Sequence, residues 1–231
     1  MRRIVAIMAG GESRRMGTNK WLLPVGGVPV LGRLVRGLAD FGDELLIVLP
    51  WNVDESLRTE AEDIVSQALR SSQLAGAARI LANRPAVRWL TDEEPYAGPL
   101  AGIEAAFRAA QVAGDPALCV VAAADMPFAS SELAEALARA CRAANAEAVV
   151  PMHDGRSHPL FAVYRSDTLA KLSEYRRQGG KKVMEWLAML NCVYLQEEQL
   201  DACDMQLALY NMNTPDDYDR AIAIASGVIE T

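Results

Sequence analysis

Short runs of apolar residues alternate along the chain with longer segments in which apolar positions recur every three or four residues. That alternation predicts βαβ units and a mostly parallel sheet. Ile4 to Met8 is an unbroken apolar run that ends at a glycine pair, which predicts a first strand. Pro29 to Phe41 carries Val30, Leu31, Leu34, Val35 and Leu38 on one stripe and predicts a helix, and Leu45 to Leu49 predicts a second buried strand. Asp54 to Leu69 reads as a helix whose acidic first turn suits the positive end of its dipole. Ser71 to Arg88 has weak periodicity and supports no assignment. Leu100 to Val112 is helical, Leu118 to Ala123 is a strand buried on both faces, and Ser130 to Ala144 is an Ala-rich helix that Ser130 or Ser131 can cap. Ala148 to Pro151, Leu160 to Tyr164 and Cys192 to Leu195 predict strands, and Ser166 to Arg177 and Lys182 to Leu190 predict helices. Thr214-Pro215 places an N-cap and a first-turn proline before a last helix. No repeat, low-complexity tract or linker interrupts the series, so a single domain over residues 1–231 is expected.

The composition fits a chain that buries its own core, with 51% hydrophobic and 23% charged residues. A formal net charge of −7 leaves no protein-wide positive field to attract a nucleic acid, although one basic pocket could still take a small anion. Four cysteines without CxxC spacing and two histidines, His153 and His158, argue against a zinc site or a redox pair. Cys119 lies in an apolar run and reads as a small core residue, which suits a reducing compartment. Arg2-Arg3 followed by Ile4 to Ala9 imitates the start of a signal peptide, but the run breaks at Gly10-Gly11 and polar Glu12-Ser13-Arg14-Arg15 follows. No stretch approaches the roughly 20 apolar residues of a membrane helix. A soluble cytoplasmic protein that binds neither membrane nor nucleic acid is the expectation.

Chemistry concentrates in a few segments. Directly after the first strand comes Met8-Ala9-Gly10-Gly11-Glu12-Ser13-Arg14-Arg15-Met16-Gly17-Thr18-Asn19-Lys20. Paired glycines let a backbone approach a ligand closely, and successive N–H groups in such a turn form an anion-binding nest. Arg14, Arg15 and Lys20 add charge where a triphosphate would sit. The segment matches neither GxGxxG nor the P-loop pattern, so a glycine turn flanked by solvated arginines is an equal alternative. In Val120-Val121-Ala122-Ala123-Ala124-Asp125-Met126-Pro127 a buried strand ends in one carboxylate, at the sheet edge where open α/β folds bind ligands. A lone carboxylate there suits Mg²⁺, which takes one or two protein carboxylates together with substrate phosphates. An Asx turn or helix cap before Pro127 is the competing reading, and Met126 and Phe128 read as packing residues. An acidic stretch from Asp92 feeds a helix through Gly98-Pro99-Leu100-Ala101-Gly102, and Asp154-Gly155-Arg156-Ser157-His158-Pro159 and Tyr210-Asn211-Met212-Asn213-Thr214-Pro215 form two further polar segments. Taken singly, each of these three reads as an ordinary loop, turn or cap.

Taken in order, AGGxSRRMGxxK, GPLAG, ADMPF, HPLFAVY and NMNTPDD closely resemble the motifs of the molybdenum cofactor guanylyltransferases, over about 200 residues. The resemblance implies a Rossmann-like α/β fold of the nucleotide-diphospho-sugar transferase type, a mostly parallel sheet with helices on both faces. It also implies Mg²⁺-dependent transfer of GMP from GTP to the molybdopterin cofactor, with release of pyrophosphate, and contact with molybdoenzymes or other cofactor-biosynthesis proteins. Carried over by position, Met8, Ala9 and Gly10, with Gly11, Ser13 and Arg14, match the leading nucleotide-binding turn. Lys20 matches the phosphate-contacting lysine, and Asp125 the aspartate that binds Mg²⁺ and nucleotide; with Arg15 they are the candidate catalytic residues. Asn52 corresponds to a base-contacting asparagine, Asp92 to an aspartate upstream of GPLAG, and Gly98 opens that motif. His158, Asn211 and Asn213 fall on the acceptor side, with a capping role for Asn213 as the alternative. The implied division is a nucleotide half over about residues 1–128 and an acceptor half over about 129–231. The chain departs from the pattern at Asn19, where an aspartate often stands, at Ala122-Ala123-Ala124, and in a longer segment from Asp54 to Leu90. A cytidylyltransferase for the same cofactor, a sugar-phosphate nucleotidyltransferase and a GTP-binding assembly factor without turnover are the rival readings.

Overall fold

In the computed structural model the described residues are 1–10, 19–75, 85–91, 98–111, 116–200 and 204–229. The strands are β1 (Arg2–Met8), β2 (Pro24–Val25), β3 (Val28–Pro29), β4 (Glu44–Leu49), β5 (Ala86–Thr91), β6 (Ala117–Ala123), β7 (Ala148–His153), β8 (Arg156–Ser157), β9 (Phe161–Arg165) and β10 (Cys192–Gln196). The helices are α1 (Val30–Leu38), α2 (Glu55–Ala75), α3 (Pro99–Gln111), α4 (Ser131–Ala143), α5 (Leu169–Arg177), α6 (Val183–Leu187), α7 (Met205–Ala208) and α8 (Pro215–Ala225). The main sheet runs β10-β7-β9-β6-β1-β4-β5, with β8 paired to β7. Pairings β1–β4, β1–β6, β4–β5 and β7–β10 are parallel, while β9 is antiparallel to both β6 and β7. The sheet is therefore mixed but mostly parallel, as the alternating pattern predicts.

Strand periodicity divides the core between the two faces of the sheet. Along β1, Ile4, Ala6 and Met8 pack with Leu100, Ile103 and Phe107 of α3, with Leu172 of α5 and with Trp186 of α6. Val5 and Ile7 face the other way, among Leu31, Leu34 and Leu38 of α1, Val65 of α2, and Leu133 and Leu137 of α4. Each such aliphatic side chain taken fully out of water contributes about 1.5–3 kcal/mol, so the unbroken apolar run of β1 is the centre of both clusters. Tyr164 stacks on Trp186 with ring centroids 5.2 Å apart, and its buried hydroxyl donates to the Pro159 carbonyl at 2.7 Å. Among the described residues no helix is long and apolar enough to cross a membrane.

Several boundaries follow local chemistry. Asp54 precedes α2, and its carboxylate accepts from the Leu57 N–H at 2.8 Å. Ser130 caps α4, accepting from the Leu133 N–H at 3.3 Å, whereas the Ser131 hydroxyl donates to the Gly37 carbonyl at 2.6 Å. Thr214 caps α8, with Pro215 in the first turn. Other segments differ from the pattern reading. The segment without clear periodicity resolves into the end of α2 and into β5, an edge strand whose side chains are only partly buried. The helix expected over Ser166 to Arg177 begins as a 3-10 turn over Ser166–Thr168, and the one expected over Lys182 to Leu190 is confined to α6. Two tight hairpins were not foreseen. Gly26-Gly27 (φ +58° and +74°) joins β2 to β3, and Asp154-Gly155 (φ +49° and +68°) joins β7 to β8. Two consecutive positive φ values between paired strands are what a two-residue primed turn requires.

Helix α1 lies close to the segment that follows Asp125. A Cβ at Gly37 would collide with the Ala129 carbonyl oxygen, which is backbone and cannot turn aside. Gly37→Ala is therefore expected to destabilise the protein by about 1–3 kcal/mol. A urea unfolding midpoint equal to wild type would show that α1 can shift away from Ala129 at no cost.

Candidate active site

Three strand ends meet at one edge of the sheet. β1 lies between β4 and β6, so the chain leaves β1 on one side and returns on the other, which makes this the switch point where open α/β sheets bind ligands. The Ala9 N–H donates to the Val48 carbonyl at 2.9 Å, and the Met8 carbonyl accepts from the Ala124 N–H at 3.1 Å. The backbone entering the glycine turn is thus held from both neighbours. At Gly10 the nearest atom to an added Cβ among the described residues is the Pro50 Cα at 4.0 Å.

Lys20 stands at the start of a 3-10 turn, Lys20–Leu22, anchored by the buried Trp21. Its ammonium donates to the Met212 carbonyl at 2.6 Å and to the Asn213 side-chain oxygen at 3.2 Å, and lies 3.5 Å from Asp125 Oδ2. The other carboxylate oxygen of Asp125, Oδ1, is buried and has no hydrogen-bond partner among the described residues. Burial pushes the Asp125 carboxyl above its ordinary range, and the Lys20 charge offsets this only in part. Among the described residues the Asp125 carboxylate caps no helix, and the next one, α4, is capped by Ser130. No cluster of three or more potential metal ligands occurs among the described residues. One carboxylate with an unused buried oxygen fits a cation that draws its remaining ligands from phosphates and water.

The loop after Asp125 is tied down by Arg33, which donates to the carbonyls of Pro127 (3.2 Å) and Val25 (3.1 Å) and lies 4.9 Å over the Phe128 ring. Phe128 in turn meets Tyr210 edge-on at 6.0 Å, and Met126 is fully packed, so both Met126 and Phe128 are packing residues. His158 is half-buried on the segment before β9, and its N–H donates to the Pro151 carbonyl at 3.0 Å. Two residues on, the Leu160 carbonyl accepts from the Ala123 N–H at 2.8 Å, which ties this segment to the end of β6. Burial, and then the nearby His153 ring 6.5 Å away, push the His158 imidazole down, so it is neutral at pH 7.

The structure therefore brings Met8, Ala9, Gly10, Lys20, Asp125, His158 and Asn213 to one edge. Asn52 is exposed in the turn after β4, Gly98 is exposed directly before α3, and Asn211 is exposed two residues before Asn213. Gly11, Ser13, Arg14, Arg15 and Asp92 lie outside the described residues. Asn213 caps nothing: Thr214 takes that position, and Asn213 turns its side-chain oxygen to Lys20. Sequence reasoning missed Arg33, Asp217 and the Met212 carbonyl. Thr214 and Asp217 stand three apart, a spacing that marks a capping box, whereas a backbone carbonyl leaves no trace in a sequence.

A mostly parallel α/β sheet with a lysine–aspartate pair at its switch point is an arrangement that can take a phosphate-bearing ligand together with a cation. Residues 5–193 match the MobA-like NTP transferase domain. A protein of Pelotomaculum thermopropionicum named "Probable molybdenum cofactor guanylyltransferase" is 32% identical over 95% of this chain and 91% of its own length. The crystal structure of molybdopterin-guanine dinucleotide biosynthesis protein A from Archaeoglobus fulgidus superposes with a TM-score of 0.70 at 30% identity, covering 97% of this chain and 99% of that one. A 4-diphosphocytidyl-2C-methyl-D-erythritol synthase from Anaerococcus prevotii, at 16% identity and a TM-score of 0.62, shares the fold. The chain belongs to the MobA-like NTP transferase family and is a nucleotidyltransferase.

The buried charge of Asp125 has a consequence for stability. Its carboxyl pKa is raised on folding, so the folded state holds this proton more tightly than the unfolded chain, and stability falls as pH rises through that range. Above it the ionised carboxylate opposes folding. Asp125→Asn is expected to melt higher than wild type at pH 7.5 and to lose that advantage near pH 4, while added Mg²⁺ should raise the melting temperature of wild type only. A variant that melts lower at pH 7.5 would show that the Lys20 pairing outweighs desolvation.

Proposed function

We propose that this chain transfers GMP from GTP to the molybdopterin cofactor, forming the guanine dinucleotide cofactor and releasing pyrophosphate. The observation that carries the reading is the pairing of Lys20 with Asp125 at 3.5 Å, near the end of β1, with one Asp125 oxygen buried and without a hydrogen-bond partner among the described residues. The family relationship and the names borne by its relatives supply the base and the acceptor. In this reading residues 1–128 form the nucleotide half and residues 129–231 the acceptor half of one domain, and the reaction takes place in the cytoplasm.

A phosphate oxygen of the acceptor attacks the α-phosphorus of GTP in line, and the bond to the bridging oxygen of the β-phosphate breaks. Pyrophosphate leaves with the electron pair. The nucleophile is already ionised at neutral pH, so no protein base is required, and positioning and electrostatics carry the catalysis. Asp125 is the residue that holds Mg²⁺, which when bound neutralises phosphate charge. Lys20 compensates the negative charge of the triphosphate, and the backbone at Gly10 and Gly11 donates to it, with Arg14 and Arg15 adding positive charge. Met8, Ala9 and Ser13 belong to the same nucleotide-binding segment, and Asn52, Asp92 and Gly98 are assigned to the nucleoside side. His158, as a neutral imidazole, donates or accepts one hydrogen bond on the acceptor side, together with Asn211 and Asn213.

The test is pyrophosphate release with Mg²⁺ and molybdopterin, comparing GTP, CTP and ATP. Release is expected with GTP and only when the acceptor is present. A preference for CTP would move the chain to cytidylyl transfer, and GTP binding without release would make it an assembly factor. Lys20→Ala and Asp125→Ala should each lower kcat by at least about 100-fold in folded protein. Near-wild-type turnover in either would remove that residue from the mechanism. His158→Ala should raise KM for the acceptor by about 10-fold and leave KM for GTP unchanged, and the converse pattern would move His158 to the nucleotide side.

A further inference from the structure

We propose that Asp217 is a positioning residue for Lys20: its carboxylate fixes the turn over residues 212–214, whose oxygens aim the lysine ammonium at Asp125. The inference rests on the reading of Lys20 and Asp125 as the phosphate and metal residues. Lys20 is held by two consecutive residues, through the Met212 carbonyl at 2.6 Å and the Asn213 side chain at 3.2 Å. Those two oxygens define a direction for a flexible four-carbon side chain only if the turn that carries them is itself rigid.

That turn has no regular structure of its own, and three contacts make it rigid. The Met212 N–H donates to the Asp125 carbonyl at 2.9 Å, so the turn is tied to the residue that Lys20 faces. The Met212 side chain is fully buried. Asp217 Oδ2 then accepts from the Asn213 and Thr214 N–H groups, both at 2.8 Å. A capping box needs only the second of these, with the Thr214 hydroxyl accepting from the Asp217 N–H at 3.2 Å in return. The bond to Asn213 is additional, and it falls on the residue that contacts the ammonium. Tyr210 secures the other side, its hydroxyl donating to the Asp217 carbonyl at 2.7 Å. Burial works against ionisation of Asp217, but the backbone donors outweigh it and hold the carboxyl below its ordinary range, so the anchor is anionic at any working pH.

A purely structural role, capping α8, predicts something different. Thr214→Ala removes the hydroxyl half of the cap and leaves the bonds from the Asn213 and Thr214 N–H groups to the carboxylate in place; Asp217→Ala removes those two bonds and leaves the N–H of residue 217 donating to the Thr214 hydroxyl. Both variants should lose thermal stability. Acylation of Lys20 by an N-hydroxysuccinimide acetate reagent, followed by peptide mass spectrometry on the ligand-free full chain, reads the ammonium directly. Lys20 should react about fivefold faster in Asp217→Ala than in wild type, the factor matching the net worth of about 1 kcal/mol for one hydrogen bond. In Thr214→Ala it should stay within about twofold of wild type. In turnover, Asp217→Ala should lower kcat about tenfold with little change in KM for the nucleotide, and Thr214→Ala should not. Asp217→Asn keeps an acceptor oxygen without the charge and should fall between, which preserves the comparison if the alanine variant does not fold. Unchanged Lys20 labelling in both Asp217 variants, or an equal rise in Thr214→Ala, would overturn the proposal. Absence of pyrophosphate release by wild type would defeat the guanylyl-transfer reading instead, and the labelling result would stand apart from it.

Discussion

The arrangement at the sheet edge depends on one incompletely compensated charge. Asp125 is carried largely out of water just beyond the buried strand β6, and desolvation pushes its carboxyl toward the neutral form. The Lys20 ammonium at 3.5 Å offsets part of that cost, and Oδ1 has no hydrogen-bond partner among the described residues. An isolated buried carboxylate destabilises a fold unless it is paired and hydrogen-bonded. A site that keeps one is arranged for something that arrives later, and local rules of stability are commonly broken where function is. Ligand and cation binding would complete the coordination that folding leaves open.

The fold supplies this geometry from distant parts of the chain. Asp125 follows β6, Lys20 opens the 3-10 turn before β2, and the segment that holds Lys20 comes from the residues between α7 and α8. Parallel pairing of β1 with β4 and β6 puts three carboxyl ends at one edge, and only at the switch point does the chain diverge enough to leave a crevice there. The antiparallel β9 turns the chain back, so that the segment from His158 to Leu160 reaches the same edge and is tied to the end of β6. Arg33 and the Gly37–Ser131 contact hold the far side of the Asp125 loop against α1. The acidic residue is thus fixed by backbone and packing, whereas the basic one, at the end of a flexible side chain, is fixed by its acceptors.

What could be read from the sequence follows from where each signal resides. β1, β4 and β6 are buried on both faces, so they are continuous apolar runs and were identified within one or two residues. α4 and α8 carry serine and threonine caps whose chemistry is local, and they too were identified. β5 is an edge strand that includes Arg88, whose guanidinium bonds Glu44 at 3.1 Å, so half-burial blurs its period. Asp154-Gly155 lay in a segment read as an ordinary turn and Gly26-Gly27 was not singled out; β2, β3 and β8 are two residues long and carry no period at all. At the site, Asp125 was conspicuous as a charge after an apolar strand, and Lys20 stood in the glycine-rich segment that carries the family resemblance. The partners that place them were not: the Met212 carbonyl is backbone, and the contact between Lys20 and Asn213 spans 193 positions. Asn213 was assigned to two alternatives, of which the cap falls to Thr214 instead.

The same pairing explains why the site defines a reaction type more firmly than a substrate. On the proposed reading Lys20, Asp125 and the glycine pair act on phosphate oxygens, which are alike in every nucleoside triphosphate. Selection of the base must come from groups that reach its hydrogen-bonding edge, and a site built to bond particular donors and acceptors rejects an analogue that leaves them unpaired. On the reading given above those groups lie in the turn after β4, with Asn52, and around Asp92 and Gly98. On the same reading the acceptor is met by residues of the other half. Phosphate chemistry would then be fixed at Lys20, whose ammonium bonds oxygens of the 212–214 turn, and each half could change its own specificity without disturbing the pair.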